Sequence, residues 1–288
     1  MAIRVGFIGL GNQGKPIATH LAPAGFETWV HDLDDAPVAE LVGGGARAAA
    51  TPRMVGENAD LVGICVPEDD HVRAVVSGED GLIAGMQPGG VILIHSTVLP
   101  ETADAVSQAA ADKSIAVLDA CVTGGAARAQ ARQITYLIGG DESAIEKAMP
   151  YFEATTEIPI IHAGTLGSGA KLKLCINLIT YIQWAAAYES MALAQAIGLP
   201  QEILEEAGRS NGQMTEMMLS YLMGHKLPEE ARQGEGFQAL MRGHMKIAEK
   251  DLAWALELAR KSGVALPVGS LVSQSMARLY GVNDEGRR

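Results

Sequence analysis

The sequence predicts an α/β fold: an amino-terminal doubly wound parallel sheet over residues 1–163, followed by an all-α carboxy-terminal domain over residues 164–288, joined by a long interdomain helix. Three observations predict it. Through the first half, short β-branched runs alternate with helical patterns. Several of those runs are apolar throughout, as strands covered by helices on both faces must be. Past about Gly164 the β-branched runs stop, and long Ala, Leu, Met and Glu-rich stretches take over.

The expected strands are RVGFIGL (4–10), ETWVHD (27–32), LVGICV (61–66), VILIHS (91–96), IAVLDACV (115–122), ITYLIGG (134–140) and a last one near IPIIHAG. Most are separated by segments long enough for a crossover. From Gly167 to Ile197 there is no proline, which allows a helix of about 45 Å at ~1.5 Å per residue. Further helices are expected over Gln201 to Arg209, Met214 to His225, Phe237 to Ser262 and Val268 to Tyr280. Met214, Met217, Met218 and Met223 read as core filling at helical spacing, with a flexible interaction surface as the alternative. The end of the chain, from Asn283 to Arg288, reads as a disordered tail.

At 288 residues and 48% hydrophobic, the chain can bury a sizeable core. Its 22 Lys and Arg against 34 Asp and Glu give a net charge of −12, the wrong sign for gripping nucleic-acid phosphates or an anionic membrane. MAIRVGFIGLG runs at once into strand-like sequence, so no export signal is expected. LCINLITYIQWAAAYESMALA is interrupted by Asn177, Thr180, Gln183 and Glu189 and reads as a buried helix, not a bilayer span. Cys65, Cys121 and Cys175 are an odd count without a CxxC pair, which suits a reducing compartment, the cytoplasm. The seven histidines show no paired ligand spacing, and no metal is expected.

Gly9, Gly11 and Gly14, with Leu10, Asn12 and Gln13 between them, form G-L-G-N-Q-G directly after the first strand and before a helical segment. The first glycine permits a tight turn, the second lets backbone N–H groups approach a pyrophosphate, and the third lets helix and strand pack closely. The helix amino terminus then offers unpaired donors and positive dipole to phosphates. Asp32 ends the second strand, eighteen residues after Gly14, where an acid accepts hydrogen bonds from an adenosine ribose and repels a 2′-phosphate. NAD is therefore expected over NADP. An ordinary turn aspartate is the alternative.

In GTLGSGAKLKLCIN, Lys173 and Asn177 are spaced i, i+4 and share a face, whereas Lys171 is turned by about 200° from Lys173 and has Cys175 at the matching position. A lysine amine held among apolar neighbours such as Leu172, Leu174 and Ile176 can titrate nearer neutrality and exchange a proton with an alcohol or carbonyl. Asn177 could fix that oxygen. A solvated lysine beside a buried asparagine is the other reading.

These residues resemble one family. GFIGLGNQGKPIATHL is similar to the amino-terminal fingerprint G-x-I-G-L-G-x-M-G of the β-hydroxyacid dehydrogenases, the group that includes 3-hydroxyisobutyrate and tartronate-semialdehyde enzymes and shares the Rossmann nucleotide-binding domain of 6-phosphogluconate dehydrogenase. DACVTGG (119–125) resembles its substrate motif D-A-P-V-S-G-G, GSGAKLKLCIN its G-x-G-x-x-x-K-x-x-x-N motif, and EKDLAWALELA its late K-D-L motif. The resemblance implies Lys173 as general acid/base and Asn177 as a ligand of the substrate hydroxyl. It implies Thr123, Gly124 and Gly125 as the loop that holds a substrate carboxylate, and Val66, Pro67, His71, Thr97 and Lys250 on the nicotinamide side of the cofactor. It also implies homodimers or tetramers. The departures are Gln13 for Met, Cys121 for Pro, Thr123 for Ser, Arg132 where glycine is usual, and Ile176 where Asn or His often stands. All but Gln13 lie in or beside substrate segments. Arg128 and Arg132 could add charge for an acidic substrate, but arginines in a polar connection are ordinarily solvated. Cys121 reads as a small buried residue, since hydride transfer needs no nucleophile.

The expected function is hydride transfer between NAD and a small β-hydroxy acid or its semialdehyde. The rivals are an imine reductase on the same architecture, disfavoured by Lys173, and a catalytically silent dinucleotide-binding module for assembly or sensing.

Overall fold

The computed structural model describes residues 3–284. Eight strands, β1 (Arg4–Ile8), β2 (Glu27–His31), β3 (Arg47–Ala48), β4 (Leu61–Ile64), β5 (Val91–Ile94), β6 (Ala116–Thr123), β7 (Thr135–Gly139) and β8 (Ile161–Gly164), form one sheet in the order β3-β2-β1-β4-β5-β6-β7-β8. The first six are mutually parallel, and the register places Ile8 beside both His31 and Ile64, Ile64 beside Ile94, and Ile94 beside Asp119. Their carboxy-terminal ends thus lie along one edge.

Alternate residues of the central strands feed two cores. Val5, Phe7, Leu61, Leu93, Leu118 and Tyr136 pack on one face, and Ile8, Val62, Ile64, Ile92, Ile94 and Val117 on the other. A strand buried on both faces has no polar alternation to show, which is why these runs are apolar throughout. His95 is buried in the first layer between Phe7, Tyr136 and Tyr151. Its Nδ1 donates to Ala120 O (2.8 Å) and its Nε2 accepts from the Tyr151 hydroxyl (2.7 Å). Burial pushes its pKa down to about 4, so the ring is neutral.

Two features of the sheet differ from the sequence expectation. β3 escapes it because two exposed residues carry no apolar run. β7 runs antiparallel to β6, with β8 parallel to β7. The connection from Thr123 to Thr135 holds only the six-residue helix Gly125–Gln130, too little for a parallel crossover, so the chain turns back at the same edge.

The long helix is Ser168–Ala196. Its start is fastened to the sheet by Asp119 of β6, a fully buried carboxylate that accepts from Gly167 N (2.8 Å) and Ala170 N (2.7 Å). Burial raises the Asp119 pKa above the ordinary carboxylate value, and the backbone donors oppose that rise. Two glycines make the approach possible. A Cβ on Gly169 would collide with Asp119 O and Leu137 O, and one on Gly139 with Asp119 Oδ1.

By packing, the chain divides into two compact units, Met1–Lys173 and Leu174–Arg288, within this helix. The second is all-α, with helices Gln201–Ser210, Glu216–Met223, Glu229–Gln233, Glu235–Lys261, Pro267–Ser273 and Met276–Leu279. Its cores gather Tyr181, Met245, Leu252, Val272 and Met276 in one cluster and Ala187, Met191, Met218 and Leu222 in another. The methionine expectation holds for Met214 and Met218, which are buried, and fails for Met217 and Met223, which are exposed. The stretch expected as one helix from Val268 breaks between Ser273 and Met276. Of the expected tail, Asn283 N donates to Gln238 Oε1 (2.9 Å), and residues 285–288 lie outside the described residues. Among the described residues no helix is long and apolar enough to cross a membrane.

Removing the Asp119 carboxylate strands two backbone donors in a dry site. Asp119→Ala should cost about 3 kcal/mol. A thermal melt should register this as a fall of roughly 6–12 °C; an unchanged melting temperature would contradict the anchoring.

Candidate active site

The glycine loop follows β1. Gly9, at φ +92°, donates from its N–H to His31 O (3.0 Å), and a Cβ there would collide with Cys65 O. A Cβ on Gly14 would collide with Gly9 O. Both glycines are therefore demanded by the protein itself. Gly11 is different, because a Cβ there meets nothing within 4 Å. Beside it, Gln13 Nε2 is buried without a hydrogen-bond partner, while Asn12 is exposed. An open approach to bare backbone and a spare buried donor fit the diphosphate of a dinucleotide. Asp32 is held by two backbone donors, Leu10 N to Oδ2 (2.5 Å) and Asp34 N to Oδ1 (2.9 Å). An ionised carboxylate has about four lone-pair sites, so two such bonds leave capacity for ribose hydroxyls.

At the same edge, Val66 N donates to the buried Ser96 Oγ (2.9 Å), tying the end of β4 to the segment after β5 that carries Thr97. Asp69 tightens the same junction, accepting from Leu99 N (2.9 Å) and Thr102 Oγ1 (2.6 Å). Pro67 is exposed, and His71 stands exposed on the helix Asp69–Ser77. β6 continues past its neighbours to Thr123, half-buried, before Gly124 (φ +125°) and Gly125 (φ +78°). Adjacent strands thus bring the glycine loop, Val66, Thr97 and the Thr123 loop to one edge, where the strand order reverses between β1 and β4.

The departures around that loop have physical accounts. Cys121 is fully buried, its thiol 3.5 Å from Ser96 O. Arg128 Nε donates to Gln133 O (2.9 Å), and Arg132 donates to Glu153 O (2.7 Å) and pairs with Glu157 (3.4 Å). Each guanidinium thus has an acceptor within the protein. Arg132 also sits at φ +55°, the left-handed region that favours glycine.

Lys173 is half-buried and Lys171 exposed. Burial pushes the Cys65 thiol up to about 12, and the Lys173 charge opposes the rise, so the amine acts on the residue that abuts Gly9. In the second unit, Asn177 is buried and its Nδ2 donates to Asp251 Oδ2 (2.7 Å). The Tyr181 hydroxyl donates to the same oxygen (3.2 Å), and Lys250 Nζ lies 3.1 Å from Asp251 Oδ1. Sequence reasoning missed the parts played by Asp119 and Asp251. The available signal was an acid inside an otherwise apolar run, in VLDACV and in KDLAWAL. Among the described residues no cluster of three or more His, Cys, Asp or Glu could hold a metal ion.

Residues 4–167 match the NAD binding domain of 6-phosphogluconate dehydrogenase, and residues 167–287 match the NAD-binding domain of NADP-dependent 3-hydroxyisobutyrate dehydrogenase. The NAD-dependent L-serine dehydrogenase of Pseudomonas aeruginosa is 37% identical over 272 residues, covering 93% of this chain and 89% of that protein. The chain belongs to the β-hydroxyacid dehydrogenase family. The 2-(hydroxymethyl)glutarate dehydrogenase of Eubacterium barkeri is 32% identical over 95% of the chain and 88% of its own length. A crystal structure of 3-hydroxyisobutyrate dehydrogenase from Salmonella typhimurium superposes with a TM-score of 0.83 at 27% identity, over 96% of this chain and 93% of that one. This β-hydroxyacid dehydrogenase is accordingly an NAD(P)-dependent oxidoreductase with a nucleotide-binding domain of the NAD-binding kind.

The glycines separate by role. Gly11→Ala should leave the melting temperature unchanged while weakening NADH binding at least about tenfold, or ~1.4 kcal/mol. Gly14→Ala should destabilise the fold by about 1–3 kcal/mol. Fluorescence titration and thermal melts read both. At position 132, glycine should be more stable than alanine by about 1 kcal/mol, since both lose the guanidinium and only one tolerates the backbone; chemical denaturation of Arg132→Gly and Arg132→Ala measures the difference.

Proposed function

We propose that the chain transfers a hydride between NAD(H) and a small β-hydroxy acid, interconverting it with its semialdehyde, with Lys173 as general acid/base. The observation that carries this reading is the anchored helix start: Asp119 holds Gly167 and Ala170 at the sheet edge, and the Lys173 amine one turn on acts on Cys65 beside the glycine loop. The functional division follows the sequence, with residues 1–163 for the dinucleotide and 164–288 for substrate and subunit contacts.

Gly9, Leu10, Gly11, Asn12, Gln13 and Gly14 receive the diphosphate, and Asp32 receives the ribose and disfavours NADP. Val66, Pro67, His71, Thr97 and Lys250 line the nicotinamide side. The hydroxyl of Thr123 and the N–H groups of Gly124 and Gly125 bind the substrate carboxylate, and Asn177 holds the reacting hydroxyl. In oxidation the neutral Lys173 amine takes the hydroxyl proton as the hydride leaves the carbinol carbon; in reduction the ammonium returns it. Bound NAD(H) supplies the hydride acceptor or donor.

The substrates in the relatives' names, L-serine, 3-hydroxyisobutyrate and 2-(hydroxymethyl)glutarate, share a hydroxymethyl group on the carbon that bears a carboxylate. A 2-substituted 3-hydroxypropanoate is therefore the substrate class for this enzyme. Exposed Leu193 (62%), Ile197 (63%) and Ile203 (55%) on the helical unit support assembly into a homodimer or tetramer, and three cysteines without a CxxC pair support a reducing compartment, the cytoplasm.

Lys173→Ala should lower kcat by about 10²–10⁴-fold with NADH affinity nearly unchanged. NADH absorbance with a panel of three- to six-carbon hydroxy acids, run with NAD and NADP in parallel, reads both substrate and cofactor choice. Reduction of cyclic imines without oxidation of any hydroxy acid would favour an imine reductase, and cofactor binding without turnover a silent module.

A further inference from the structure

We infer that Asp251 is a positioning residue, which fixes the Asn177 amide in the orientation that meets the substrate hydroxyl; this rests on the reading of Asn177 given above. Asp251, on the helix Glu235–Lys261, is only 2% exposed. Two donors and a cation converge on its carboxylate. Asn177 Nδ2 (2.7 Å) and the Tyr181 hydroxyl (3.2 Å), one turn apart on the long helix, share Oδ2, and Lys250 Nζ lies 3.1 Å from Oδ1.

A buried charge is a poor device for holding two helices together, because apolar groups of similar volume do so as well or better. The two helices already have such packing in Tyr181, Met245, Ala248 and Leu252. The carboxylate supplies direction instead. An asparagine amide has a donor side and an acceptor side, nearly equal in shape, and apolar walls do not choose between its two orientations. An ionised carboxylate only accepts, so it accepts Nδ2 and rejects Oδ1. One N–H is thereby spent on Asp251, and the other N–H and Oδ1 are left in fixed directions. The hydrogen bond from Tyr181 and the Lys250 charge beside Oδ1 help keep the carboxylate itself in place. Catalytic groups that drift by about 1 Å lose on the order of a hundredfold in rate, which is the scale such an anchor protects.

The test is a double-mutant cycle on the full-length enzyme at saturating NAD, with L-serine and 3-hydroxyisobutyrate as probe substrates. Asp251→Asn should lower kcat/KM by about 10–100-fold in the wild-type background and by less than about threefold in the Asn177→Ala background, where there is no amide left to orient. A purely structural Asp251 predicts equal losses in both backgrounds; that result overturns the inference and leaves the Asn177 reading standing. Asn177→Ala with wild-type kcat/KM, or a wild-type enzyme inactive on both probes, removes the functional reading and this inference with it. Where Asp251→Asn does not yield folded enzyme, Tyr181→Phe, which removes the second donor to the same carboxylate oxygen, replaces it in the same cycle. It should lower kcat/KM by at least about threefold in the wild-type background and leave it unchanged in the Asn177→Ala background; equal losses in both overturn the inference.

Discussion

The contact on which the first unit's site depends is the bond between the Asp119 carboxylate and the main chain at the start of the long helix. A helix begins with N–H groups that have no partner inside it, and burial makes them costly unless something accepts from them. An acid at the amino terminus also meets the positive end of the helix dipole. Asp119 answers both needs from inside the sheet, directly beside Ile94 in register. The consequence is geometric. The helix start cannot slide or lift without exposing a buried carboxylate, so the residues that follow it, Lys173 included, inherit a fixed height above the strand ends.

That anchoring constrains the sequence well beyond the acid. Main chain meets main chain where Gly169 faces Asp119 O and Leu137 O, and Gly139 faces the carboxylate. The G-S-G of the helix start is thus a statement about packing. Gly9 and Gly14 belong to the same class, whereas Gly11 does not, since nothing in the protein occupies the space its side chain would take. Within the loop, Gly11 is thus the one glycine whose side-chain space stands open.

How much of this is legible in the sequence depends on whether a residue's environment is local. VILIHS and LVGICV declare themselves as strands because both faces are covered, and the glycine loop is legible because its neighbours in space are its neighbours in sequence. The direction of β7 is not encoded in its apolar pattern, which reads the same either way; only the short span after Thr123 bears on it. Arg132 is legible as a departure from glycine but not as a left-handed residue whose guanidinium is held by Glu153 and Glu157. Asp119 and Asp251 are least legible of all. Their importance lies in partners 48 and 74 residues away from them in the chain, Gly167 and Asn177, and no window along the sequence contains both ends.

These two buried acids divide the work differently. Asp119 accepts from backbone, so it fixes the course of the chain whatever side chains follow. Asp251 accepts from side chains, so it fixes the orientation of one amide. Substrate choice can then vary without touching either anchor. Of the departures from the family motifs, Cys121 is turned into the protein against Ser96, and Arg132 is committed to Glu153 and Glu157. Thr123 and Ile176 remain, both half-buried, the first adding a methyl group beside its hydroxyl and the second replacing a polar neighbour of Asn177 with an apolar one. Both changes alter size and polarity near the candidate substrate groups and leave the two carboxylates undisturbed. On the reading proposed above, changes of this kind bear on the 2-substituent, while the carboxylate and hydroxymethyl contacts stay common to the class.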